Sequence, residues 1–221
     1  SLYALVSPGS QTMESMTSSY PATLDVEYPD RELSRLTTFF RIFTVIPIGI
    51  ILALLSGHNS MVNGDAAVST NYNGGASLFL ATVLMLLFRQ TYPRWWFDWQ
   101  LALARFAMRV EAYLCLLRDE YPAVEQDQAI RVEIDYPNAQ TDLNRWLPLI
   151  KWLFAFPHYV VLLFLSIAAM ICVVIAWFAI LFTGRYPRGL FDFVVGVMNY
   201  WLRVVVYAFM LTTDRYPPFS L

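Results

Sequence analysis

Two charged residues, Asp192 and Arg203, pose the first chemical question. They lie in GRYPRGLFDFVVGVMNYWLRVVVYAFML, Gly184 to Leu211, a run otherwise apolar enough to read as buried helix. Eleven residues make about three helical turns, so a helix brings both to one face within roughly 20°. Gly196 and Asn199 fall on the same stripe, and an earlier segment repeats the pattern with Asp98, Ala102, Arg105 and Arg109. Three kinds of chemistry fit. A narrow polar line suits a helix lying in the membrane interface with its charges toward water. Antiparallel packing of the two segments would allow reciprocal ion pairs, Asp98 with Arg203 and Arg109 with Asp192. An ion or proton path is the third, weakened because no acid falls in the apolar segments expected to span.

Other candidates are fewer. Arg94, Arg185 and Arg188 flank two Tyr-Pro turns, where they could hold lipid phosphates. The structural alternative is that proline opens the next helix while tyrosine anchors at the headgroups. Cys115 and Cys172 lie in apolar surroundings on different segments and read as free thiols acting as small hydrophobes. His58 and His158 are the only histidines, and neither has a second ligand type at metal spacing. No nucleophile elbow, HExxH or phosphate loop occurs, so neither catalytic residues nor a cofactor or metal is expected.

The elements that carry these residues come in two copies. LDVEYP (Leu24 to Pro29) matches VEIDYP (Val132 to Pro137), and LSRLTTFFRIFTVIP (Leu33 to Pro47) matches LNRWLPLIKWLFAFP (Leu143 to Pro157). The stretch from Leu87 to Pro122 then matches Leu181 to Pro217, aligning Tyr92, Arg94, Phe97, Asp98, Arg109 and Tyr113 with Tyr186, Arg188, Phe191, Asp192, Arg203 and Tyr207. Each copy reads as a strand, two apolar helices, a Tyr-Pro turn and a third helix. Alternation such as Ile130, Val132, Ile134 gives the strand one apolar face, and the two short strands are expected to pair.

Apolar residues make up 57% of the chain and charged residues 14%, against roughly a quarter charged in soluble proteins, which is a membrane composition. A net charge of −2 argues against a nucleic-acid partner. Copy one has apolar runs near 39–55 and 76–88 around an Asn/Gly-rich loop; in copy two the run from Trp152 to Phe182 is nearly unbroken. Alignment of the copies predicts a tight hairpin turning near Ser166 to Met170, with a single long tilted helix as the alternative. Arginines and Lys151 cluster before and after each apolar pair, which puts both ends of each hairpin in the cytoplasm. Tyr92, Trp95, Trp96, Trp152 and Tyr186 stand where an interfacial aromatic belt would lie.

The expected fold is an all-α integral membrane protein with two tandem repeats. Each is a transmembrane hairpin plus an interfacial amphipathic helix, with short β-strands on the cytoplasmic side. Residues 1–23 form a polar arm without signal-peptide character, 24–124 the first repeat and 125–221 the second.

WFAILFTGRYPRGLFDFVVG (Trp177 to Gly196) and TTDRYPPFSL (Thr212 to Leu221) resemble a bacterial integral-membrane family known as a domain of unknown function, frequent in actinobacteria. The resemblance extends over about Tyr20 to Leu221, with its tandem Tyr-Pro repeats. Copy one departs from it, having RQTYPRWWFDW in place of the Phe-Thr-Gly-Arg turn. Residence in the bacterial inner membrane is what the resemblance implies, and no activity comes with it.

The functional expectation is a non-catalytic accessory or scaffold subunit of a larger membrane complex. It would be multi-pass with cytoplasmic termini, and its partners would be membrane lipids and other integral membrane subunits. A small transporter or channel using the Asp/Arg stripes, or a lipid-organising protein, is the alternative.

Overall fold

The computed structural model describes residues 20–29, 33–41, 46–47, 74–122 and 130–221. Most of the amino-terminal arm, most of the first apolar run of copy one and the Asn/Gly loop lie outside the described residues.

The sheet is a two-stranded ribbon in which each strand alternates apolar and polar side chains. β1 (Ala22–Val26) pairs antiparallel with β2 (Ile130–Ile134), with Leu24 opposite Val132. Ala22, Leu24, Val26, Ile130, Val132 and Ile134 all point to one buried face, while Thr23, Asp25, Arg131 and Glu133 are exposed on the other. A period of two makes this division automatic.

Five α-helices follow in the described part. They are α1 (Gly74–Leu84), α2 (Arg94–Leu114), α3 (Pro148–Phe154), α4 (Phe156–Thr183) and α5 (Arg188–Val205). Residues 35–41 are helical as well. Both α1 and α5 end in a wider π-helical turn, Met85–Arg89 and Val206–Met210. The protein is therefore mostly helical with a small sheet, and α4 and α5 with its π-turn are long and apolar enough to cross a membrane.

One expectation is overturned. Copy two holds no hairpin at Ser166 to Met170: α4 runs unbroken through it for 28 residues, about 42 Å. The reason is local. No Gly, Pro or Asn lies between Pro157 and Gly184, and Ser166, Ile167, Ala168, Ala169 and Met170 contain two of the strongest helix formers. Pro157 instead separates α3 from α4, since it cannot donate to a preceding carbonyl. Gly184, at φ 74°, ends α4 in the left-handed conformation that glycine takes without strain.

The main core lies under the ribbon. Its buried face packs with Phe97, Met108 and Ala112 of α2 and with Phe191, Val194, Met198 and Leu202 of α5. Tyr28 at the end of β1 meets Phe191 edge-on at 5.0 Å, and the Tyr20 hydroxyl before it donates to the Arg203 carbonyl at 3.4 Å. β1 thus runs antiparallel along α5. At the other side of α5, Leu162 packs with Tyr200 and Val204, and Ala155 with Tyr207 and Ala208. Ala176 and Ile180, near the far end of α4, are also fully buried.

Candidate functional site

The same three-residue arrangement occurs twice, after α2 and after the π-turn of α5. The α3 ammonium Lys151, wholly buried, contacts an Asp214 carboxylate oxygen at 2.6 Å, donates to the Thr213 carbonyl at 2.7 Å and lies 5.3 Å from the Tyr207 ring centre. In copy one the aligned residues are Arg41, Asp119 and Tyr113. Arg41 pairs with Asp119, donates to the Tyr113 carbonyl at 3.0 Å and stacks 4.4 Å from the Tyr113 ring centre.

The second carboxylate oxygen has a job of its own. Asp214 accepts the Asn144 amide at 2.6 Å, and Asp119 accepts the aligned Ser34 amide at 2.8 Å. Each aspartate therefore serves as an acceptor at the start of one helix, and each cation satisfies carbonyls at the end of another. Both ends favour those charge signs. The cation sits seven residues, about two turns, after that amide, which returns it to the same face. Burial pulls the Lys151 ammonium below its ordinary range, with Asp214 opposing the shift.

A second matched set joins the copies to each other. The Tyr28 hydroxyl donates to the Tyr186 carbonyl and the Tyr136 hydroxyl to the Tyr92 carbonyl, each at 2.5 Å. Arg188 stacks over the Tyr28 ring at 5.0 Å and Arg94 over the Tyr136 ring at 5.1 Å. Phe97 meets Tyr136 edge-on at 5.1 Å, as Phe191 meets Tyr28. A strand-end tyrosine of each copy thus clasps the Tyr-Pro turn of the other.

These contacts relocate two expected anchors. Tyr92 and Tyr186 are buried, not interfacial; the Tyr92 hydroxyl donates to the Gln100 side chain at 2.5 Å and to the Met210 carbonyl at 2.9 Å. Trp96 and Gln100 in turn donate to the Thr82 hydroxyl at 3.0 and 3.1 Å. Trp95 and Trp152 are exposed, as belt residues would be.

The stripe residues take different surroundings. Asp98 and Asp192 are exposed at the fifth residue of α2 and of α5, just past their first turns. Arg203 reaches the chain end, donating to the Ser220 carbonyl at 3.0 Å, and Gly196 on the same stripe lies against Leu221. Arg109 is half-buried deeper in α2. Arg94, Arg185 and Arg188 are all exposed around the turns, two of them held by the tyrosine rings. Cys115 and Cys172 are free thiols, and burial pushes the Cys115 thiol up to about 12. The Lys151 and Arg41 clamps escaped sequence reasoning, although the alignment already matched Arg41 with Lys151 and Tyr113 with Tyr207. Matched charge at the ends of apolar runs was the available signal.

Comparison with known proteins returns little beyond this. No curated protein and no solved structure matches the chain. Residues 146–220 match the model of a domain of unknown function (DUF4389).

Proposed function

We propose that the chain is a non-catalytic accessory or scaffold subunit of a larger bacterial membrane complex. The observation that carries this reading is the distribution of chemistry against surface. The buried cations Lys151 and Arg41 and the aspartates they meet are consumed in joining helix ends. The exposed surface, by contrast, is rich in large apolar side chains: Leu149, Trp152 and Phe154 on α3, Trp95 and Trp99 on α2, and a whole side of α4. Lipids and neighbouring membrane subunits are the partners such surface suits. Basic residues on both flanks of α4 support an inner-membrane placement with both termini cytoplasmic.

A lipid-organising role is the second reading. Arg94, Arg185 and Arg188 favour it, because all three stand exposed beside the Tyr-Pro turns.

The test is gentle detergent extraction from native membranes, then size-exclusion chromatography and mass spectrometry. Stoichiometric co-elution with the subunits of a larger complex is expected. Elution as a small lone particle would remove the scaffold reading, and co-purified anionic lipid lost in an Arg94→Gln, Arg188→Gln variant would favour the second.

A further inference from the structure

Along α4 the exposed large apolar residues are Phe156, Val160, Leu163, Phe164, Ile167, Met170, Ile171, Val174, Ile175, Phe178 and Phe182. At 100° per residue they share one side of the helix for its whole length. His158, Leu162, Ala176 and Ile180 occupy the opposite side, and all are buried. Only 11% of the most apolar window of α4 is buried, against 56% for α5.

What stands behind that wall sets its orientation. Leu162 of α4 packs against Tyr200 and Val204 of α5, Ala155 just before α4 packs against Tyr207 and Ala208, the two helices join through the Gly184 turn, and β1 runs along α5 between Arg203 and Phe191. The ribbon in turn shows Thr23, Asp25, Arg131 and Glu133 outward. If α4 stood upright across a bilayer, this charged face would run alongside it inside the hydrocarbon. Charged groups there are costly, and nothing in hydrocarbon hydrates them. With α4 lying flat, the layers fall in the order water, ribbon, α5, α4, acyl chains.

Charge on the flanks agrees. Arg145 and Lys151 precede α4 while Arg185 and Arg188 follow it, and α4 is one uninterrupted helix. A single crossing would put one basic cluster on the outer side, against the positive-inside bias. A helix lying in the interface keeps both on the same side.

We infer that α4 is an in-plane, one-leaflet anchor whose exposed side is covered by the acyl chains of the cytoplasmic leaflet. The inference rests on the membrane reading above only in taking the apolar wall to face lipid, and not on any partner subunit. Co-purification and the experiment below therefore fail separately.

The experiment places a nitroxide by Phe156→Cys, Ile167→Cys and Phe178→Cys, one at a time. The full chain, with Cys115 and Cys172 replaced by serine, is reconstituted into phosphatidylethanolamine/phosphatidylglycerol vesicles. Depth is read from collision with oxygen against a water-soluble nickel chelate. If the serine background does not fold, the native half-buried thiols are left in place and labelling is kept brief. Phe156 and Ile167 lie about 16 Å apart along the axis. The in-plane anchor gives all three labels depths equal to within about 5 Å, in the outer part of one leaflet. A label at Ile167 much deeper than both others would show a crossing helix and overturn the inference. Poor oxygen access at all three would show a protein partner in place of lipid and overturn it as well. An Asp25→Cys label on the ribbon is expected to collide with the chelate alone.

Discussion

Replacing Lys151 with methionine tests whether the clamp at the helix ends holds the fold. Methionine keeps most of the buried stem, so packing changes little and the loss is chiefly electrostatic. In the native fold the ammonium is fully buried between the Asp214 carboxylate and the Thr213 carbonyl. Its removal leaves a carboxylate with the Asn144 amide as the remaining hydrogen bond described here, and a carbonyl without its donor. Breaking a buried pair from one side costs about 3–5 kcal/mol. Asp214 retains 23% exposure and regains some water, which places the expected loss near the lower end, about 3 kcal/mol. In a chain of this size that lowers Tm by roughly 6–12 °C. Tryptophan fluorescence during thermal unfolding in detergent reads the shift. Adding Asp214→Asn removes the stranded charge, so the double variant should be more stable than the sum of the single losses by more than about 1 kcal/mol. Arg41→Met should cost at least as much, because Asp119 is less exposed than Asp214. A Lys151→Met loss below about 1 kcal/mol, or strict additivity with Asp214→Asn, would refute the reasoning.

Three further outcomes are expected. Gln90 ends the first copy's apolar helix at φ 45°, where the second copy has Gly184, so Gln90→Gly should stabilise by about 1 kcal/mol; a loss measured by thermal unfolding would contradict that account. Tyr28→Phe and Tyr136→Phe each remove one hydrogen bond between copies and should cost about 1 kcal/mol apiece, nearly additively, since they clasp different Tyr-Pro turns. Burial raises the Glu111 carboxyl from 4.5 to about 7, so the fold holds its proton more tightly than the unfolded chain does. Stability from this group is full below pH 4.5 and is lost as pH rises toward 7, by at most about 3 kcal/mol and nearer 1–2 after allowance for partial solvation. Glu111→Gln should flatten that slope, and an unchanged stability–pH curve would exclude Glu111 as its source.

The ribbon was the most legible part of this fold. Strand alternation pointed to the ribbon and its buried face, whereas the register, with Leu24 opposite Val132 at its centre, was not read from the sequence. What the alignment could not carry was local helix chemistry. It transferred a break from copy one to Ser166–Met170, but copy two contains no residue there able to stop a helix. Tyr92 and Tyr186 were misplaced for a related reason. A tyrosine beside proline at the end of an apolar run reads as a headgroup anchor, and only tertiary packing shows that its carbonyl receives a hydroxyl from the opposite copy. The Asp/Arg stripes were visible, whereas Arg203's use on Ser220 depends on how the chain end folds back.

The ribbon carries a local symmetry of its own. Leu24 is both the sequence equivalent of Val132 and its cross-strand neighbour, so a local twofold axis passes between them, perpendicular to the strands. The same sequence correspondence matches Tyr28 with Tyr136, Arg94 with Arg188, and the Arg41–Asp119 pair with Lys151–Asp214, each making the equivalent contact. An axis normal to the ribbon gives both copies the same ribbon-to-helix direction. The charged ribbon face then belongs to both copies at once, and each third helix lies beneath it. The repeated Tyr-Pro turn is the hinge of that arrangement: its proline starts the third helix, its carbonyl receives the other copy's tyrosine, and its arginine covers that tyrosine's ring.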